Sequence, residues 1–149
     1  MVNSPTNMAL ADSIMHLLHR ACQVADSIFN DEAGGIGLTT RQLAVLVAVD
    51  ENRDVSQTGL VSATGIDRST VAEIVKRLLK RGLIRRRRSR RDARTYAVRL
   101  TDEGQKLLLS VKPALVRAEA RLVAGLDGAR HVQLSQALHC LIEASPDSR

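Results

Sequence analysis

The sequence predicts a mainly α-helical chain carrying one small β-hairpin, and three observations carry that prediction. Apolar residues recur at helical spacing through most of the 149 residues. Between Gly82 and Thr101 the period changes to alternation, the mark of paired strands. The same interval holds the charge: the chain is +6 overall, and Arg85 to Arg94 alone contains seven arginines against one acid, Asp92. The remainder is electrically balanced, so the positive charge is a local site and not a general surface property.

The elements follow in order. From about Met8 to Glu32, Leu10, Ile14, Leu17, Ala21, Val24 and Ile28 form one helical stripe, which Gly34, Gly35 and Gly37 end. Thr39 starts a second helix, with Gln42 three residues on to complete a capping box; Leu43, Leu46 and Val47 give it a buried stripe, and it stops near Asp50 to Asn52. Ser56 caps a short helix through Leu60 and Val61, Gly65 makes a tight turn, and Asp67 caps a longer helix through Arg81 that Gly82 closes. The hairpin comes next, with Tyr96, Val98 and Leu100 on one face and Thr95, Ala97 and Arg99 on the other. Thr101, with Asp102 and Glu103 in the first turn, opens a long helix containing Pro113, where a kink is expected. A last helix runs from Ala129 to Glu143, and the tail from Ser145 is expected to fray.

Composition narrows the class. At 44% hydrophobic and 26% charged residues the chain is an ordinary globular one, read as a single domain over 1–149. No run approaches the roughly eighteen apolar residues of a membrane helix. The polar start from Met1 to Met8 lacks a secretory pattern, so the cytoplasm is the expected location and no membrane partner is expected. Cys22 and Cys140 make neither a disulfide framework nor a metal knuckle and are expected to be buried thiols, Cys140 in the core. No nucleophile elbow, Walker loop or zinc-protease signature occurs, so neither an enzyme nor a cofactor is expected.

Helix, turn, helix and basic hairpin is the plan of a winged helix-turn-helix, whose partner is double-stranded DNA. The second helix of the pair would enter the major groove. Asp67, Arg68, Ser69 and Thr70 lead it, and Glu73, Lys76 and Arg77 share its outer face, while Val71, Ile74, Val75, Leu78 and Leu79 pack inward. Ser56 and Thr58 begin the helix before it and join the expected contact set. Arg86, Arg88, Arg90, Arg91 and Arg94, with Asp92, make the wing, placed to meet phosphates or a narrow minor groove.

These residues resemble the MarR (multiple antibiotic resistance regulator) family of ligand-responsive regulators. The resemblance spans nearly the whole chain and rests on LTTRQLAVL from Leu38, DRSTVAEIVKRLLKRGLIRR from Asp67, the Asp92-Ala93-Arg94 wing motif and LTDEG from Leu100. It implies that Asp92 and Arg94 pair to shape the wing while Arg94 reaches DNA. It also implies a homodimer through helices in 8–32 and 101–144, with 38–100 as the DNA-binding part, reading a pseudo-palindromic operator.

The family's members are commonly repressors released by a small molecule held between the first, second and fifth helices. His19, Arg20, Cys22, Asp26 and Arg41 are the candidate polar groups there, and the two arginines suit an anionic effector such as an aromatic acid or an acyl or aryl coenzyme A thioester. Peroxide sensing through Cys22 is an alternative, although the usual activating tyrosines are missing, Tyr96 being the only tyrosine. His16, His19 and Cys22 recur every third residue but wrap progressively round the helix, so no metal site is expected. A non-specific architectural DNA-binding protein is the other alternative.

Arg94→Ala should weaken DNA binding and lower the salt dependence, d log K/d log[salt], by about one. Arg68→Ala should instead relax base preference. Titrations at several salt concentrations separate the two, and unchanged binding by the first variant would remove the wing assignment.

Overall fold

The computed structural model describes residues 9–88 and 96–144. Helices α1 (Ile14–Glu32), α2 (Thr40–Glu51), α3 (Gln57–Thr64) and α4 (Arg68–Lys80) precede an antiparallel hairpin of β1 (Ile84–Arg88) and β2 (Tyr96–Leu100); α5 (Asp102–Leu122) and α6 (Gly128–Glu143) follow. The expected wing contacts Arg90, Arg91, Asp92 and Arg94, and the expected frayed tail from Ser145, lie outside the described residues.

The caps fall where the side chains demand. Thr39 accepts from the Gln42 amide at 3.2 Å while the Gln42 side chain accepts from the Thr39 amide at 3.1 Å, a complete capping box. Ser56, Asp67 and Thr101 cap α3, α4 and α5 in the same way. At the far end of α4, Gly82 takes the left-handed conformation at φ 69°, and the amides of Gly82 and Leu83 donate to the carbonyls of Leu79 and Leu78, each at 3.0 Å. This double closure turns the chain directly into β1.

One expectation is corrected at the start of α1. The helix is not continuous through residues 10–14: a 3₁₀ turn covers Leu10–Asp12, and Ser13, extended and accepting from the His16 amide, begins α1 afresh. A serine hydroxyl that caps a helix cannot lie inside it.

Two cores form, and α2 belongs to both. Val45, Leu46 and Val49 join Leu60, Val71, Val75, Leu78, Ile84 and Val98 in the larger one. Leu43 joins Phe29, Leu108, Val111 and Ala114 in the second, between α1, α2 and α5. The stripe expected on α2 is therefore too narrow, because Val45, Ala48 and Val49 are buried as well. In β2 the alternation is incomplete: Ala97 and Val98 are both buried while Tyr96 is 57% exposed, since its end of the hairpin extends past the edge of the core.

Cys22 and Cys140 are both exposed, against expectation. The cause is the placement of their helices. No residue of α6 is buried, and α1 buries only Phe29, leaving Leu10, Ile14, Met15, Val24, Val116, Val132, Leu138 and Ile142 among the exposed apolar side chains. At the end of α1, Glu32 accepts from Arg117 and Arg121 of α5, both at 2.8 Å, and these partners hold its carboxyl below the usual range. Among the described residues, no helix is long and apolar enough to cross a membrane, and no group of three His, Cys, Asp or Glu is placed to hold a metal ion.

Gly104, in the first turn of α5, is buried directly against the Leu83 backbone carbonyl, where an added Cβ would overlap that oxygen. Gly104→Ala should therefore lower stability by about 2–3 kcal/mol, the usual scale for overpacking. Urea unfolding of the variant against the native chain measures it.

Candidate nucleic-acid interface

The candidate surface is built by the turn between α3 and α4. The Thr64 hydroxyl donates to the Leu60 carbonyl at 2.7 Å, Gly65 turns left-handed at φ 66°, and Asp67 then starts α4. Its carboxylate accepts from the Ser69 hydroxyl at 2.6 Å and the Thr70 amide at 2.9 Å. Those bonds, that of Ser69 foremost, hold the Asp67 carboxyl well below the usual carboxylate range, so it stays ionised. Asp67 is thus occupied as a cap and as the holder of Ser69.

Arg68 donates to the Thr58 hydroxyl at 3.4 Å, which joins the first turns of α3 and α4 in one exposed face. Glu73, Lys76 and Arg77 continue along that helix in solvent, with Lys76 only 4.0 Å from Glu73, an exposed pair of little energetic weight. Val71, Ile74, Val75 and Leu78 point inward as expected, and Leu79 is half-buried.

The hairpin's register decides which arginines join this face. Arg86 lies opposite Val98 and Arg88 opposite Tyr96, so both share the hairpin face that carries those residues, while Arg85 and Arg87 share the other with Arg99 and Ala97. Arg86, Tyr96 and Val98 line an open cleft of about 340 Å³ together with Ser56, Gln57 and Thr58 at the start of α3. Ser56, Thr58 and Arg86 are thus brought together, and Arg88 follows one strand repeat beyond. Gln57 and Tyr96 are missed by sequence reasoning. The apolar alternation only groups Tyr96 with Val98 and Leu100, and nothing in the pattern marks Gln57.

The expected effector groups are more dispersed. His19, Cys22 and Arg41 are exposed, and Arg20 donates to its neighbour Gln23 at 3.3 Å. Asp26 accepts from the Thr40 hydroxyl at 2.7 Å. Thr40 in turn lines an apolar cleft of about 460 Å³ between α1, α2, α3 and α5, whose walls include Phe29, Leu43, Val47, Leu115 and Glu119. Of the five residues, only Asp26 is tied to this cleft, through Thr40.

A family model described as "MarR family" matches residues 36–95, the stretch that holds α2, α3, α4 and β1. The transcriptional regulator HosA of Escherichia coli O127:H6 is 33% identical over 106 residues, covering 71% of this chain and 77% of HosA. The chain belongs to the MarR family. It is a DNA-binding transcription regulator and not an enzyme, with the family's mainly helical winged-helix fold. The transcriptional repressor NicR of Pseudomonas putida is 28% identical over 98% of this chain and 91% of its own length. A solved structure of Bordetella bronchiseptica BpsR, whose DNA binding is regulated by 6-hydroxynicotinic acid, superposes with a TM-score of 0.88 at 29% identity, covering 93% of this chain and 99% of BpsR.

Because the folded Asp67 carboxyl titrates below its ordinary value, its cap stabilises the fold fully above the usual carboxylate range and is lost only as pH falls through the lowered value in strong acid. Asp67→Ala should lower the melting temperature at neutral pH and loosen Ser69. Asp67→Ser, which keeps a capping oxygen, should restore most of the stability. Thermal melts of the three proteins at pH 7 make the comparison.

Proposed function

We propose that this regulator is a homodimeric repressor that occupies a pseudo-palindromic operator and is released by a small anionic aromatic effector. The observation that carries the reading is the common face formed by Arg68 and Thr58 with Arg86 across the neighbouring cleft, a base-reading helix start set beside a cationic strand. Arg90, Arg91, Asp92 and Arg94, expected from the sequence, are proposed to contact DNA as well, and Ser69, Thr70, Lys76 and Arg77 complete the groove contacts.

Dimerisation is supported by the apolar side chains that α1, α5 and α6 leave exposed, more than a monomer of this size leaves uncovered. In this division of labour residues 8–32 and 101–144 join the two copies and residues 38–100 read DNA. A twofold dimer places its recognition helices about one DNA turn apart. The similarity to NicR supports repression.

The effector's ring is assigned to the cleft beside Phe29, Leu43, Val47 and Leu115. Glu51 and Glu119 on the cleft wall repel a carboxylate, so the effector's acid group is proposed to point away from them toward Arg20 or Arg41, which are exposed outside the cleft lining. The similarity to BpsR supports an aromatic acid. Release follows if the effector prefers a dimer whose helix spacing no longer fits the groove.

The test is a thermal-shift and DNA-release screen with 6-hydroxynicotinate, other aromatic acids and their coenzyme A thioesters, with peroxide and zinc in parallel. An effector at about a hundred times its Kd should stabilise the protein by about 2.7 kcal/mol and release a DNA duplex selected from a random pool. Arg20→Ala or Arg41→Ala should abolish the response. Release by peroxide alone would move the signal to Cys22, and equal affinity for selected and random DNA would leave only an architectural role. Light scattering should give the mass of two chains.

A further inference from the structure

Beyond the reading face, one ion pair at the base of the wing has no part in the expected contact set. Arg99 of β2 makes a bidentate charge-assisted pair with Asp54, in the loop between α2 and α3. Both side chains are more than two-thirds shielded from solvent, at 29% and 27% exposure. Immediately beside the pair, the Val98 amide donates to the Val55 carbonyl at 2.8 Å, so this loop forms a short third rung on the edge of the hairpin.

Two features make the pair more than an incidental surface contact. Asp54 sits at φ 60°, in the left-handed region that costs a non-glycine residue energy and persists only where its surroundings fix it. Arg99 also stands directly across the ladder from Arg85. Like charges facing one another across a strand pair destabilise it, and the Asp54 carboxylate is placed to neutralise one of the two. The loop that holds the carboxylate leads straight into Ser56, Gln57 and Thr58, which line the cleft facing Arg86.

We propose that Asp54 and Arg99 form a positioning pair that sets the angle of the hairpin against the start of α3, and so decides whether Arg86 and Arg88 meet the same DNA backbone that α3 and α4 engage. Arg99 acts through Asp54 and not by touching DNA. Within this regulator the pair governs the wing's share of affinity, while Arg68 and Ser69 keep the base preference.

The test uses the full-length protein and a duplex that the native chain selects from a random-sequence pool, with a scrambled duplex as control. Asp54→Asn is the informative variant, because asparagine tolerates φ 60° as well as aspartate does while the negative charge that faces Arg99 is removed. It should weaken binding to both duplexes about five- to tenfold and reduce the salt slope by about one to two, with the ratio between the duplexes nearly unchanged. Arg99→Ala should reproduce this, and the double variant should be no weaker than either single one. Arg99→Lys, which keeps the charge but not the fork, should recover only part of the loss.

If Asp54→Asn binds like the native chain while Arg99→Ala is weakened, Arg99 contacts DNA directly and the proposal is wrong. If the two losses add, the residues act separately and it is equally wrong. A native chain that selects no duplex would sink the operator reading itself, an outcome distinct from both.

Discussion

The burial of α2 is the constraint on which the rest of the molecule depends. A helix that presents one face to a core can be displaced by repacking that face. Here Val45, Leu46 and Val49 face one core and Leu43 faces another, so the helix is locked from two sides. Interiors packed to this density are stiff, and a shift of α2 in response to anything bound beside α1 and α5 must be passed to α3, α4 and the hairpin. The cleft lies at that junction, with Leu43 and Val47 in its wall.

Other ties run the same way. Arg81, at the end of α4, donates to the carbonyls of Gly37 at 2.6 Å and Ile36 at 3.1 Å, so the far end of the reading helix holds the corner between α1 and α2. The Thr101 hydroxyl donates to the Gly82 carbonyl at 2.6 Å while its oxygen caps α5, and the Thr101 amide donates to Leu83. The start of α5 and the turn from α4 into β1 are therefore one joint. It closes tightly because Gly104 has no side chain. The winged helix is not a module hung on a scaffold, since its ends are stitched to the helices that carry the exposed apolar faces.

Most of this was legible in the sequence where a single residue carries a local instruction. Thr39 with Gln42, Ser56, Gly65, Asp67, Gly82 and Thr101 each act over three or four residues, and the elements start and stop where they say. The amphipathic division of α4 was legible for the same reason, because that helix has one apolar stripe and one polar one. What was not legible depends on distant partners. Nothing near Asp54 announces Arg99, 45 residues away, and the loop of Ile36 and Gly37 does not announce Arg81. The exposure of Cys22 and Cys140 likewise follows from how α1 and α6 stand off the cores, and residue type argues the opposite. A pocket was expected between helices, but the wall of this cleft joins core residues such as Phe29 and Leu43 to Glu51 and Glu119 and holds none of the five polar groups nominated from the sequence.

The four consecutive arginines of β1 have a last consequence, for the way the protein travels. With four arginines in succession on β1, the molecule carries a concentrated patch of positive charge as well as a net charge. A phosphate backbone exerts a torque on such a body before any contact is made, turning it strand-first during the final nanometres of approach within the Debye length. Orientation is then settled by diffusion in a field and not by repeated collision, so productive encounters are frequent in dilute salt and grow rarer as ions flatten that field.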